Sequence, residues 1–233
     1  MNTRMETILG MIEDGVGVID VGTDHGYIPV SLAKNGYCGS IFASDIHTGP
    51  LDAARRAAEN KGVADKISFL LCDGLSLCDP EEVDTIVIAG MGGDLICRIL
   101  DQAEWTMDER YTMILQPMTK AEVLRYWLSN NEYGIVSEKL VQDSGRIYSV
   151  LTVRFGSNCN PLNDAELFTG SYEKVRQDPL FQPFLELLIA REKKVLSGIE
   201  EGGRDNQGRK RLYSGIINQM QEMQERENST GNI

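Results

Sequence analysis

The chain alternates between short β-branched apolar runs and longer stretches whose apolar residues recur at helical spacing. The short runs are typical of buried strands and cover residues 16–21, 40–45, 67–71, 85–89 and 112–115. Helical patterns precede and separate them, at residues 5–13, 30–34, 49–60, 94–102 and 120–130. Strands that alternate with helices across short turns predict a parallel sheet with helices on both faces.

Two further strands are predicted after the last of these helices, at residues 134–138 and 147–155. The turn sequence Asp143-Ser-Gly-Arg146 precedes the second strand and leaves only a short connection. We therefore expect an antiparallel pair at one edge of the sheet. The whole pattern predicts an α/β fold with seven strands, mostly parallel.

From residue 156 the pattern changes from alternating elements to helices alone. A linker-like stretch at 156–161 leads into predicted helices at 164–176, 183–199 and 209–227. The last two carry apolar residues on one face and are separated by a polar, glycine-containing loop at 202–206. These features predict a helical hairpin or short coiled coil.

The chain is therefore predicted to have two domains, 1–155 and 156–233. Its 233 residues are 42% hydrophobic, which is enough for a sizeable core and excludes disorder over the whole chain. There is no run of 18 apolar residues, and the N-terminal segment lacks the apolar core of a signal peptide. The five scattered cysteines indicate reduced thiols in a cytoplasm, and with only two histidines no metal site is expected.

The formal net charge of −12 argues against a nucleic-acid partner when it is taken alone. The charge is uneven, however, because residues 1–155 carry a net −10 and residues 156–233 only −2. The second region also holds the densest basic cluster, which consists of Arg204, Arg209, Lys210 and Arg211. Local phosphate binding by this cluster is compatible with the acidic total.

Acidic side chains follow three successive predicted strands, where an open parallel sheet binds its ligands. The first strand ends in the segment Asp20-Val-Gly22-Thr-Asp24-His-Gly26, whose glycines allow a close backbone approach. Asp45 ends the second strand, where an acid can accept hydrogen bonds from ribose hydroxyls. Asp73 follows the third strand, where an acid can accept a hydrogen bond from an adenine amino group.

The sequence of the first turn distinguishes between cofactors. A dinucleotide site needs G-x-G-x-x-G so that a pyrophosphate can sit on the helix N-terminus. Asp24 would repel a pyrophosphate, but it suits a cofactor with an ammonium group and no phosphate, such as S-adenosylmethionine. Each signal also has a simpler structural interpretation: a tight turn for the glycines, helix N-caps for the acids and a turn histidine for His25.

Four segments occurring in order carry a family resemblance. They are DVGTDHGYIP at 20–29, ASDIHTGPL at 43–51, IAGMGG at 88–93 and ILQP at 114–117. Together they resemble the bacterial tRNA (adenine-N1)-methyltransferases that act on adenosine 22 of the tRNA D-arm, the TrmK family. The likeness covers about residues 5–155, and the helical region matches in kind, since the family carries a coiled-coil-like C-terminal domain.

The resemblance implies a Rossmann-like class I fold that uses S-adenosylmethionine as methyl donor. It implies a catalytic role for Asp24, with Tyr27 stacking on or edging the target base. It also implies a set of cofactor-binding residues: Gly22, Thr23, Asp24, His25, Gly26, Asp45, Ile46, Asp73, Gly74, Gly90, Met91 and Gly92. The chain departs from the family pattern after Gln116-Pro117, where Met118 stands in place of an expected Asn.

The implied reaction is methyl transfer to N1 of adenosine 22, which requires alignment rather than a strong base or a metal. The basic cluster 204–211 is then expected to contact tRNA phosphates, and the protein is expected to be a cytoplasmic monomer. The alternatives are a methyltransferase for a small molecule or protein, a non-catalytic cofactor-binding module, and a nicotinamide oxidoreductase. The three acids and the first turn disfavour the last two.

Overall fold

The computed structural model describes residues 3–157, 161–201 and 207–230. Their fold divides into two compact units. The first contains residues up to 137 together with 141–157, and the second contains 138–140 together with the described residues from 161 onward. No helix in the described residues is both long enough and apolar enough to cross a membrane.

A seven-stranded sheet organises the first unit, in the order β3-β2-β1-β4-β5-β7-β6. Pairing is parallel from β3 through β5, whereas β5 and β7 are antiparallel. The predicted mostly parallel sheet is thereby confirmed. The strands are β1 (Val18–Val21), β2 (Ile41–Asp45), β3 (Ser68–Leu71), β4 (Thr85–Gly92), β5 (Thr112–Thr119), β6 (Tyr133–Asp143) and β7 (Arg146–Phe155).

Helices cover both faces of this sheet because successive strand residues point to opposite sides. Ile86 and Ile88 belong to one core cluster, which also contains buried residues of α4 and α5, whereas Val87 belongs to the other, which contains residues of α1, α2 and α3. The helices are α1 (Thr3–Leu9), α2 (Tyr27–Lys34), α3 (Thr48–Asn60), α4 (Gly93–Asp101) and α5 (Ala121–Asn130).

Several element boundaries differ from the sequence-based expectation, and β6 continues to Asp143 instead of ending at residue 138. Helix α1 ends at Leu9, not at residue 13. Strand β4 continues through the glycine-rich segment to Gly92, because β5 also extends, to Thr119, and pairs with it across register shifts at Met91. The predicted turn at 143–146 is present, with Ser144 and Gly145 both at positive φ as a tight hairpin requires.

Four helices form the second unit: α6 (Asp164–Thr169), α7 (Tyr172–Val175), α8 (Phe181–Glu201) and α9 (Gln207–Thr230). Helices α8 and α9 bury apolar residues that include Leu185, Ile189 and Met220, and Lys210 Nζ lies 2.6 Å from Glu200 Oε1. The two helices of the predicted hairpin are therefore present, while the loop 202–206 lies outside the described residues. Not every apolar residue of the last helix is buried, since Leu212 of α9 is exposed.

The prediction of a single helix at 164–176 is wrong. Gly170 ends α6 with φ 88° and ψ 167°, and α7 begins again after Ser171. A Cβ at Gly170 would lie 2.5 Å from Glu138 Oε2, so the buried carboxylate of Glu138 occupies the space that a side chain would need.

Candidate active site

The turn after β1 reverses the chain by placing three of five residues in the left-handed region. Gly22, Asp24 and Gly26 have φ values of 72°, 48° and 70°. At Gly26 a Cβ would lie 3.0 Å from the Ala54 Cβ, so only glycine lets α3 approach this closely. The turn therefore starts α2 at Tyr27 and leaves its backbone open at the carboxyl end of the sheet.

Two cavities lie at this end of the sheet and share Gly22. The larger, of about 560 Å³, is lined by Arg4, Met5, Asp20, Gly22, Thr23, Asp24, Tyr27, Ile28, Ala89, Gly90 and Met118. The smaller, of about 230 Å³, is lined by Val21, Gly22, Ser44, Asp45, Ile46, His47, Cys72, Asp73, Gly74, Met91, Leu95, Arg98 and Ile99. A ligand with two chemically distinct ends fits a pair of cavities that meet at a glycine.

Asp20 is a buried acid in the wall of the larger cavity. The pKa of its carboxyl group is raised to about 6, mainly by burial; the nearby Thr23 side chain acts in the opposite direction, and the neighbouring charge of Asp45 adds a smaller upward contribution. A cationic group in this cavity would offset the cost of burying the carboxylate. The larger cavity thus fits the ammonium end of S-adenosylmethionine.

Asp45 and Asp73 place carboxylates on the smaller cavity. Asp45 Oδ1 accepts a hydrogen bond from the His47 backbone N–H at 2.8 Å, which fixes the orientation of its side chain. Asp73 Oδ1 lies 3.9 Å from an Arg98 guanidinium nitrogen, and both of these side chains are about half exposed. Ribose hydroxyls and an adenine amino group are hydrogen-bond donors, so the smaller cavity fits an adenosine.

The Met91 side chain covers Gly22. A Cβ at Gly22 would lie only 2.1 Å from Met91 Cε, so the thioether occupies the space that any side chain at this position would need. Met91 also lines the smaller cavity, while its neighbour Gly90 lines the larger one. The end of β4 therefore contributes to both cavities.

The mouth of the larger cavity carries polar and aromatic groups that are open to solvent. The Asp24 side chain is 66% exposed, and one of its oxygens lies 3.6 Å from His25 Nε2. The rings of Tyr27 and His25 meet edge to face at a centroid distance of 5.8 Å, and Tyr27 is 56% exposed. A flat nucleobase at this mouth would meet the Asp24 carboxylate as a hydrogen-bond acceptor and the Tyr27 ring as an aromatic surface.

The structure brings together most of the predicted site residues. Thr23, Asp24, Tyr27 and Gly90 line the larger cavity with Gly22, and the smaller cavity is lined by Gly22 with Asp45, Ile46, Asp73, Gly74 and Met91. Three predicted residues line neither cavity, namely His25, Gly26 and Gly92. Gly26 and Gly92 instead serve as the residues that precede α2 and α4.

Several residues of the larger cavity were not predicted. Arg4 and Met5 come from α1, the buried acid Asp20 comes from β1, and Ile28, Ala89 and Met118 complete the wall. Arg4 is a cation at the start of a short amphipathic helix, a pattern that gives no sign of a site. Met118 was singled out in the sequence only as a departure from the family pattern.

The predicted tRNA-binding cluster lies in the second unit. Arg209, Lys210 and Arg211 are exposed in the first turn of α9, and Lys210 pairs with Glu200. Arg204 lies outside the described residues. Arg209 and Arg211 form no ion pair within the described part of the chain.

Comparisons with known proteins agree with this geometry. The family model described as "Methyltransferase domain" matches residues 1–151. A tRNA (adenine(22)-N(1))-methyltransferase of Bacillus subtilis is 33% identical over 156 residues, which are 67% of this chain and 66% of that protein. The chain thus aligns with slightly less than two thirds of that relative's length.

Solved structures extend the likeness to both units. The Bacillus subtilis m1A22 tRNA methyltransferase TrmK matches with a TM-score of 0.81 and 26% identity, covering 97% of each chain. The Streptococcus pneumoniae protein Sp1610, solved in complex with S-adenosyl-L-methionine, matches with a TM-score of 0.78 and 27% identity, covering 95% of this chain and 98% of that one.

Proposed function

Because the chain belongs to the TrmK family of class I S-adenosylmethionine-dependent methyltransferases, we propose that it methylates N1 of adenosine 22 in the tRNA D-arm. The observation that carries the proposal is the pair of cavities that meet at Gly22. One presents acids suited to an adenosine, and the other combines a buried acid with an exposed acid and an aromatic ring. That combination holds a methyl donor and admits a base beside it.

Each end of the cofactor has its own set of residues in this proposal. Asp45 accepts hydrogen bonds from the ribose hydroxyls, and Asp73 accepts one from the adenine amino group. The carboxylate of Asp20 faces the ammonium group, and the glycine backbone at Gly22 and Gly90 allows close approach. When bound, S-adenosylmethionine supplies an electrophilic methyl group on a sulfonium centre.

Asp24 and Tyr27 act on the target base. The lone pair of adenine N1 is the nucleophile, so the chain has to supply orientation rather than a strong base. The Asp24 carboxylate accepts a hydrogen bond from the N6 amino group, which becomes more acidic as positive charge develops on the ring. Tyr27 packs against the base and excludes water from one side.

Reaching N1 requires that the base leave its stack in the folded tRNA, at a cost of a few kcal/mol. We propose that Arg204, Arg209, Lys210 and Arg211 bind tRNA phosphates and offset part of this cost. The exposed guanidinium groups of Arg209 and Arg211 support this role. Replacing both with Glu should weaken tRNA binding and lower the slope of log affinity against log salt by about 2. An unchanged slope would refute phosphate contacts there.

The decisive test is nucleoside mass spectrometry on unmodified tRNA incubated with the protein and S-adenosylmethionine. We expect new 1-methyladenosine, lost when adenosine 22 is changed and strongly reduced in Asp24→Asn, which keeps the shape of the side chain. Asp65→Asn, at an exposed position outside both cavities, is the matched control. Cofactor binding without any methylated nucleoside would favour the alternative, a methyltransferase for a small molecule or protein.

The same proposal assigns residues 1–155 to catalysis and 156–233 to a separate helical domain that helps to bind tRNA. A tRNA substrate places the protein in the cytoplasm. We further propose that it acts as a monomer. Light scattering on the purified protein, with and without tRNA, tests this assignment.

A further inference from the structure

The Gln116 side chain lies fully buried within β5, with both ends of its amide engaged. Oε1 accepts hydrogen bonds from the Gly90 backbone N–H at 3.2 Å and from Arg4 Nη1 at 3.0 Å. Nε2 donates to the Pro117 carbonyl at 2.9 Å. A rotation of the amide by 180° would point its N–H groups at two donors, so these partners fix a single orientation.

Arg4 is itself held in place by groups outside α1. Its Nε lies 3.7 Å from Asp143 Oδ2, its guanidinium carbon lies 5.5 Å from the centroid of the Tyr148 ring, and Nη1 also contacts the Met118 sulfur. Only 14% of the side chain is exposed. The cation therefore has a fixed position against Gln116, and a hydrogen bond from a charged donor is stronger than one from a neutral group.

Gly90 is the residue on which this arrangement acts. It has a φ of 82°, lines the larger cavity and adjoins the register shift at Met91, where the regular ladder between β4 and β5 is interrupted. A Cβ at Gly90 would meet nothing within 4 Å, so the space on that side of the residue is open. The hydrogen bond from its N–H ties this part of the cavity wall to the Gln116 side chain.

We propose that Arg4 is a positioning residue for methyl transfer, which acts through Gln116 to hold the Gly90 peptide at the wall of the larger cavity. The role in catalysis rests on the function proposed above. Arg4 keeps the Gln116 amide in the orientation that accepts the Gly90 N–H. Without the cation the amide can rotate and the wall shifts, and a misplacement of about 1 Å can cost about 100-fold in rate.

Arg4→Met removes the charge while keeping a long side chain. With tRNA and saturating S-adenosylmethionine, we expect kcat to fall about 10- to 100-fold. The matched control is Arg110→Met. Arg110 lies over the Tyr111 ring at 4.6 Å and bonds to the Glu81 carboxylate, which resembles the setting of Arg4, but it lines neither cavity.

A double-mutant cycle separates action through Gln116 from direct contact with the substrate. In a Gln116→Met background, adding Arg4→Met should lower kcat no further, because the group through which Arg4 acts is already gone. A full additional loss in that background would mean that Arg4 touches the substrate itself, and it would overturn the proposal. Thermal unfolding of each variant establishes that the assays use folded protein.

A second readout needs no methyl transfer. Ala89-Gly90 is the only Ala-Gly step in the sequence, so labelling with ¹³C-carbonyl alanine and ¹⁵N-glycine yields a single NMR correlation, that of the Gly90 amide. Arg4→Met should shift this resonance and speed its hydrogen exchange, Arg110→Met should do neither, and Arg4→Lys should restore part of the wild-type signal.

The two readouts distinguish the failure of this proposal from the failure of the proposed function. If the wild-type protein methylates no tRNA, the kinetic comparison has no signal, but the Gly90 amide still tests whether Arg4 holds the peptide. An unmoved Gly90 resonance in Arg4→Met overturns the inference whatever the kinetics show. A shifted resonance with unchanged kcat in an active enzyme also overturns it.

Discussion

Replacing Asp20 with Asn should stabilise the cofactor-free protein at neutral pH. Burial raises the pKa of this carboxyl group from 3.8 to about 6, mainly because the charged form loses its hydration. A difference of that size corresponds to about 3 kcal/mol, at 1.36 kcal/mol for each pKa unit. Asn keeps the size and one oxygen of the Asp side chain while avoiding a buried charge.

The pH dependence follows from the direction of the shift. Below about pH 3 the carboxyl group is mostly protonated in both folded and unfolded protein, so its charge costs almost nothing. As the pH rises to about 6 and beyond, the unfolded chain is ionised while the folded protein resists ionisation, and the wild type loses stability relative to Asp20→Asn. The advantage of the variant should therefore grow from near zero at about pH 3 to about 3 kcal/mol at about pH 7.

The assay is urea unfolding of both proteins without cofactor at several pH values between these limits. Asp65→Asn, at an exposed position, serves as the control and should show no comparable pH-dependent gain. Since the ammonium group of the cofactor is proposed to face Asp20, the variant should also bind S-adenosylhomocysteine at least about 10-fold more weakly, as loss of about 1.4 kcal/mol implies. A stability difference that stays constant across the pH range would refute the reasoning.

Two further predictions concern the frame that holds the site. Gly26→Ala should lower the free energy of unfolding by about 1–2 kcal/mol, because a left-handed backbone and a 3.0 Å contact both oppose the new methyl group. Gly36→Ala has a similar φ of 79° but open space, so a denaturant comparison should show a smaller loss there. Tyr133→Phe removes a buried 2.8 Å hydrogen bond to the Thr106 hydroxyl and should cost about 1–2 kcal/mol in the same measurement, whereas an unchanged midpoint would contradict that bond.

The sheet and its three acids were predictable because they follow from local patterns. The apolar runs before Asp24, Asp45 and Asp73 mark three strands, and parallel neighbours in a sheet bring their carboxyl ends to one edge. The glycine-rich segment after the fourth run was harder. Gly90 to Gly92 look like a loop in the sequence, but Met91 and Gly92 pair with β5. This pairing depends on a strand that is distant in the chain.

The break in the helix at Gly170 shows a second limit of pattern reading. One glycine within a helical pattern costs only about 1 kcal/mol relative to alanine, so the pattern does not demand an end there. What ends α6 is a conformation with φ 88° and the buried carboxylate of Glu138, which lies where a Cβ would point. No local feature of residues 164–176 indicates that Glu138 lies against Gly170.

Gln116 marks the boundary between what the sequence predicts and what it leaves open. A glutamine that ends an apolar strand must find hydrogen-bond partners if it is buried, so the sequence implies that some donor will reach it. It cannot say which donor, because Arg4 is separated from Gln116 by 112 residues and arrives on a helix with no signature of its own. The acids that face the ligand are recognisable by type and spacing. The groups that hold the backbone behind them are ordinary residues, whose role is created only by the fold.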